Sequence, residues 1–243
     1  MCTLRRRWCA AGVSDRFAES VRVAKTNLGD TAVSLVHRVE HPLIEHHLCT
    51  IRDKETRPSE FRAAVQRLSM IIGVYATQDL STKPRLVKTP ICDTTGECLS
   101  VHIGIVPILR AGLGMVDPIL ELLPEAAVWH LGLYRNEETA EPVGYYDKLP
   151  HENAPNVALV VDPMLATGGS IDLVIRRLRQ WGVSEIRVLS LIASKPGIDR
   201  VQQDFPDVKI YVAAIDPELN EQSYIVPGLG DAGDRIFDTP QHG

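Results

Sequence analysis

The sequence predicts an α/β fold, a doubly wound and mostly parallel sheet of about five core strands. Three observations carry that expectation. Apolar, β-branched runs recur at residues 101–106, 126–133, 157–161, 185–193 and 208–214, and such runs suit strands covered on both faces. The last three are separated by crossovers about one helix long, which is what parallel pairing requires. Twice the chain passes from a strand through a glycine-containing loop directly into a helix, an arrangement that gathers ligand loops at the carboxyl ends of the strands.

The chain of 243 residues fits one α/β domain or two small ones and is long enough to bury a core. Its net charge of −5 argues against a general nucleic-acid binder, so an anionic ligand must be held by local positive groups. Five cysteines (Cys2, Cys9, Cys49, Cys92, Cys98) form no Cys-x-x-Cys pair, which predicts reduced thiols in a cytoplasmic setting. No apolar run approaches the roughly 18 residues of a membrane span. Arg5-Arg6-Arg7 precedes Trp8-Cys9-Ala10-Ala11, and the apolar segment of a signal peptide does not follow.

Taken in order, residues 1–32 read as an N-terminal extension, poorly ordered around its basic cluster, and residues 33–243 as a single domain. Within the extension, Val13 to Leu28 has a helical pattern, with Ser14 as N-cap and Gly29 as stop. His37, His41, His46 and His47 follow. His37 and His41 have i, i+4 spacing, but Pro42 interrupts and no Cys or acidic cluster completes a metal site. Helices are expected over residues 42–53 and 58–75, the second with an apolar stripe of Phe61, Val65, Leu68 and Ile72. They are expected to cap one side of the sheet and join subunits. Lys83 to Ser100 is turn-rich, and alternation at residues 86–89 suggests a short edge hairpin.

Residues 101–106 lead into Pro107-Ile108-Leu109-Arg110-Ala111-Gly112-Leu113-Gly114, and a helix is expected from about Met115 to Leu122. Arg110 in that loop is able to fork onto a diphosphate. The alternative is a surface arginine beside a helix start, where the helix dipole disfavours a cation. After the strand at 126–133, residues 134–150 are polar and carry Pro and Gly. A connection of about 20 residues before the next strand reads as a lid or as a solvated hairpin.

Val157 to Val161 is the most strand-like run. Asp162 stands at its carboxyl end, then Pro163-Met164-Leu165-Ala166-Thr167-Gly168-Gly169-Ser170, then Ile171, Val174, Ile175 and Leu178 at helical spacing. The loop thus sits at a helix N-terminus, where free N–H groups and the positive end of the dipole favour an anion. Gly168 and Gly169 let the backbone approach it, and Thr167 and Ser170 add hydroxyl donors. Asp162 repels phosphate but suits sugar hydroxyls, so acid and cradle together suggest a sugar phosphate. An ordinary capped turn is the competing interpretation, and the Walker pattern is excluded because no Lys follows the glycines.

The tail, Tyr224 to Arg235, contains Gly228-x-Gly230-x-x-Gly233. The dinucleotide fingerprint does not apply, since only residues 234–243 follow, too few for the helix, strand and ribose-binding acid it needs. The residues alone describe a turn-rich tail.

Asp162-Pro-Met-Leu-Ala-Thr-Gly-Gly-Ser170, preceded by Val161, resembles the phosphoribosyl-diphosphate loop of the uracil phosphoribosyltransferases, a branch of the type I phosphoribosyltransferases. The resemblance runs from about His37 to Phe237. It implies transfer of a phosphoribosyl group to uracil, giving UMP and diphosphate, with Mg²⁺ as cofactor, a homo-oligomer (dimer or tetramer) and, in some members, activation by GTP. It further implies a mobile two-stranded arm at residues 134–150. By the same resemblance Arg110, Arg135, Asp162 and Asp231 are catalytic, and Asp162 to Ser170 (with Pro163, Met164, Leu165, Ala166, Thr167, Gly168 and Gly169) bind phosphoribosyl diphosphate together with the two arginines and Asp231. Ile225, Gly230, Asp231 and Ala232 match the uracil site, where backbone groups meet the edge of the base. No protein ligand to the metal is implied, since the diphosphate and water hold it near Asp231. The chain departs from the family at Phe237-Asp238-Thr239, where Phe-Gly-Thr is usual. Two rivals share the fold: a regulator that binds RNA or nucleotides, and a transferase for another base. The acidic charge argues against the first and the tail sequence against the second.

Overall fold

The computed structural model describes residues 35–135, 142–147, 149 and 153–239, with side chains omitted for 132–135 and 142–147. The helix expected at 13–28 and the extension as a whole lie outside the described residues.

The first elements are β1 (Val36–Arg38), α1 (Pro42–Arg52) and α2 (Pro58–Ala76). Both helices begin with proline, whose missing N–H costs nothing at the first helical position. His41 is the N-cap of α1, its Nδ1 accepting from the Leu43 N–H at 3.1 Å. His37 lies instead on β1, stacked on Tyr211 with ring centroids 4.7 Å apart. Among the described residues no group of His, Cys, Asp or Glu could hold a metal alone.

β2 (Thr82–Lys88) and β3 (Asp93–Leu99) pair antiparallel over seven positions each. The hairpin is longer than its alternating stretch suggested, and it forms its own two-stranded sheet rather than an edge of the main one. Nearly every residue in it is exposed, Leu86 and Leu99 included, so the hairpin stands clear of the main sheet. β4 (Ile103–Pro107) then leads through a 3₁₀ turn (Ala111–Met115) into α3 (Val116–Leu122).

The strand expected at 126–133 is divided. β5 (Ala127–Val128) joins the main sheet, while β6 (Leu131–Arg135) pairs antiparallel with β7 (Pro142–Asp147) as a separate ribbon. Trp129 marks the parting point: its N–H still bonds Ile105 O at 2.9 Å, and its ring meets Trp181 edge-on at 4.9 Å. The remaining elements are β8 (Val157–Val161), β9 (Met164–Leu165), α4 (Gly169–Trp181), β10 (Glu185–Ser194), α5 (Lys195–Asp204), β11 (Lys209–Asp216), β12 (Glu218–Leu219), β13 (Ile225–Val226) and α6 (Ala232–Phe237).

The main sheet has the order β1-β11-β10-β8-β4-β5, with β9 beside β10, and every pairing is parallel. Four of the expected core strands lie in it, the fifth contributes only Ala127–Val128, and β1 and β9 are additions. Side chains alternate between two cores, as the strand period requires. On β8, Val157, Leu159 and Val161 face the core shared with Ile44, Phe61, Leu68 and Ile119, whereas Ala158 and Val160 face Ile171, Val174, Leu178 and Val201. Helices therefore cover both faces, and the loops after β4 and β8 emerge at the same end of adjacent strands. At the opposite end, the fully buried Arg187 is tied to Asp79 and Glu185, which also bind Lys209.

Candidate active site

The loop after β8 begins with Asp162 and turns into α4 at Gly168, whose φ of 77° is left-handed and suits glycine. Gly168 is the N-cap and offers no side chain, so no side-chain oxygen occupies the helix N-terminus. Those N–H groups, with the dipole behind them, are what an anion would meet. The loop is braced from behind by the start of α5. Ser194 Oγ donates to Ala166 O at 2.6 Å and accepts from Gly197 N–H at 2.9 Å. A Cβ on Gly197 would lie 2.1 Å from Ala166 O, so only glycine permits the approach. Arg200 Nη1 reaches Thr167 O at 3.5 Å.

Not every residue of the stretch faces a ligand. Pro163 and Leu165 are buried, Leu165 within the core beneath α4 and α5, whereas Met164 and Ala166 are half-buried and line a cavity.

That cavity, of about 360 Å³, is where distant segments meet. Asp162, Met164 and Ala166 contribute from one side, Ile225, Gly230, Asp231 and Ala232 from the other, and Ala111 from the loop after β4. A larger cavity, about 690 Å³, lies between the β2–β3 hairpin and the start of β4 and holds none of the expected site residues, so size does not identify the site here. Arg110 stands beside the smaller cavity, more than half exposed, and Nη2 donates to the buried Asp234 at 3.0 Å. The peptide bond between Leu109 and Arg110 is cis. Arg135 closes β6 opposite Pro142; its side chain lies outside the described residues.

Two carboxylates share the cavity. Burial pushes the Asp162 carboxyl up to about 7, the charge of Asp231 adds to the rise, and the Met164 N–H, 3.4 Å from Oδ1, opposes it. Asp231 is the N-cap of α6, with Oδ1 accepting from Asp234 N–H at 2.8 Å. Asp231 thus orients the last helix as well as facing the cavity.

The tail is less irregular than its sequence suggests. β13 pairs with β12, and α6 follows, although Gly233 lies within it. The available signal was the acid at the cap, Asp231, with Asp234 three residues on in the first turn. At the departure from Phe-Gly-Thr, Asp238 adopts the left-handed conformation, φ 56° and ψ 40°, that glycine would take. Three arginines not singled out in the sequence hold this tail. Arg62 donates to Ile236 O at 2.9 Å, and Arg235 donates to Leu229 O at 2.9 Å and lies over the Phe61 ring at 4.2 Å. Arg52 donates to Gly228 O at 2.9 Å.

Known proteins are similar to this chain over most of its length. The family model described as uracil phosphoribosyltransferase matches residues 38–239. A uracil phosphoribosyltransferase of Roseiflexus sp. (strain RS-1) is 52% identical over 200 residues, covering 82% of this chain and 96% of that protein. One from Alkaliphilus oremlandii is 52% identical over 208 residues, covering 85% of this chain and 100% of that protein. Among solved structures, a protein from Aquifex aeolicus superposes with a TM-score of 0.79 at 35% identity, covering 83% of this chain and 97% of that one.

Proposed function

Because the chain belongs to the uracil phosphoribosyltransferase family, we propose that it converts uracil and 5-phosphoribosyl 1-diphosphate to UMP and diphosphate at the cavity lined by Asp162 and Ala232, as a pentosyltransferase of pyrimidine salvage. One observation carries the location: the first half of the loop after β8, at Asp162, Met164 and Ala166, and the tail, far apart in sequence, line a single cavity, and the α4 N-terminus follows directly in the chain.

In this reaction the bond from ribose C1 to the diphosphate oxygen breaks, a bond from C1 to uracil N1 forms, and N1 gives up its proton. Positive charge on the ribose and negative charge on the diphosphate develop together. Arg110 and Arg135 are assigned to the departing diphosphate, where a preoriented cation lowers the barrier most. The N-terminus of α4 with Thr167 to Ser170 takes the 5′-phosphate, and Asp162 takes ribose hydroxyls, which is catalysis by positioning. Uracil presents O2, N3–H and O4 along one edge, and the backbone at Ile225, Gly230 and Ala232 is suited to meet them.

The donor set fits magnesium. Asp162 and Asp231 present hard carboxylate oxygens to the cavity, which suits an ion that keeps waters and binds substrate phosphates. Asp231, with Oδ2 not engaged in the cap, is the residue to hold it through water. When bound, the ion neutralises the leaving diphosphate.

The same proposal includes a cytoplasmic setting, a homo-oligomer and GTP as an activator. Among the described residues no helix is long and apolar enough to cross a membrane. The β2–β3 hairpin exposes Leu86 and Ile91 and supplies an apolar surface for a second copy. Residues 33–243 are proposed as the catalytic domain, so removing residues 1–32 should leave activity largely intact. The deciding assay is formation of UMP from labelled uracil, phosphoribosyl diphosphate and Mg²⁺, with and without GTP. No UMP under either condition overturns the proposal.

A further inference from the structure

We propose that Arg52 and Asp216 are positioning residues for base recognition, an ion pair outside the cavity that fixes the backbone reading uracil. This rests on the uracil site proposed above. Arg52 closes α1 and Asp216 closes β11. The guanidinium forks onto the carboxylate, Nη1 to Oδ2 at 2.8 Å and Nη2 to Oδ1 at 2.7 Å. The pair then grips one residue on both its polar groups. Gly228 N–H donates to Asp216 Oδ2 at 2.9 Å, and Gly228 O accepts from Arg52 Nη1 at 2.9 Å.

Gly228 lies between Ile225 and Gly230, whose backbones are assigned to the base. Neither Arg52 nor Asp216 lines the cavity itself; both border a separate recess of about 280 Å³. Recognition by backbone groups has no side-chain torsions to adjust, and hydrogen bonds weaken steeply with misalignment. The loop must therefore be held at a fixed height from outside. A two-residue strand and a six-residue helix flank it, and neither is a rigid support. The ion pair transfers the load to an 11-residue helix and a strand inside the main sheet. The Asp216 side chain is only 6% exposed and its oxygens meet both the guanidinium fork and the Gly228 N–H, an arrangement that fixes geometry more than it adds stability. Lysine could not reproduce the fork.

The test is steady-state kinetics on the full chain with Arg52→Met, Arg52→Lys and Asp216→Asn, beside melting curves. The expected result is a split. KM for uracil rises about 10-fold or more in Arg52→Met and about 3-fold in Arg52→Lys and Asp216→Asn, which keep part of the contact set. KM for phosphoribosyl diphosphate stays within about 2-fold, because the α4 loop is braced by α5, and Asp231 and Asp234 belong to α6 and its cap, which Arg62 and Arg235 hold independently. A purely structural role would move both constants together. A parent that makes no UMP overturns the proposed reaction. An active parent whose folded variants keep KM for uracil within about 2-fold, or raise both KM values equally, overturns the positioning role alone. Loss of fold in all three variants overturns it as well, since the pair would then serve stability.

Discussion

Arg110 Nη2 lies 3.0 Å from Asp234 Oδ1, so the cation assigned to the diphosphate is aimed by the last helix of the chain. Asp234 is buried and also accepts from Thr239 Oγ1 at 2.7 Å. The loop after β4 and the tail are therefore joined by an ion pair, and the cation proposed for one substrate is oriented beside the site proposed for the other.

Arg110→Ala should lower kcat/KM for phosphoribosyl diphosphate by about 2–4 kcal/mol of transition-state stabilisation, roughly 30- to 1000-fold. The fold should survive, because Asp234 keeps the Thr239 hydroxyl and the arginine is more than half exposed. Kinetics against that substrate, with a melting curve as control, make the comparison. An unchanged kcat/KM would remove the diphosphate assignment.

Asp162 gives stability a distinctive pH dependence. Its folded-state carboxyl is raised to about 7 from an ordinary value of 3.8. Between those values the folded chain holds a proton that the unfolded chain has released. Stability from this group is therefore present at low pH, falls as pH rises through that window, and levels off above about 7. Asp162→Asn should flatten this part of the profile and melt higher than the parent at pH 7.5, by on the order of 2–4 °C for each kcal/mol recovered. Melting temperatures of both ligand-free proteins from pH 4.5 to 8 test the sign. A parent-minus-variant difference that does not change across that range would contradict it.

Gly197→Ala should act on a loop it is not part of. The new Cβ would stand 2.1 Å from Ala166 O, so the phosphate loop or α5 must shift. Affinity for phosphoribosyl diphosphate should fall about 10-fold or more, because the cradle depends on N–H groups held at hydrogen-bond distance. Calorimetric titration with phosphoribosyl diphosphate and Mg²⁺ measures it, and parental affinity would show that the brace does not set the loop.

Asp238→Gly should stabilise the protein by about 0.5–1 kcal/mol, or about 1–4 °C in Tm. Asp238 is exposed and holds a left-handed conformation at the C-cap of α6, which glycine adopts at lower cost. A lower Tm in the variant would mean that the aspartate side chain contributes more than its backbone costs.

The parallel sheet, the two helix-covered faces and the strand–loop–helix turn after β8 were legible because each is written locally. β-branched runs, helical spacing and a glycine at a positive-φ cap are properties of neighbouring residues. Reading failed where a local pattern was ambiguous. Residues 126–133 look like one strand, yet the chain parts at Trp129 between the main sheet and the arm, and the tail with its glycines conceals α6.

What the sequence determined by itself was therefore the fold class, the acid–loop–helix turn after β8 and, through resemblance, the family and the residues proposed as ligands. What only the tertiary structure decided was how those residues are held: Arg110 by Asp234, the phosphate loop by Ser194 and Gly197, and Gly228 by Arg52 and Asp216. Such partners are separated by as many as 176 residues. Hydrogen bonds and ion pairs act over a few ångströms in space and leave no fixed spacing along the chain, so they become visible only after the sheet has brought its carboxyl ends together.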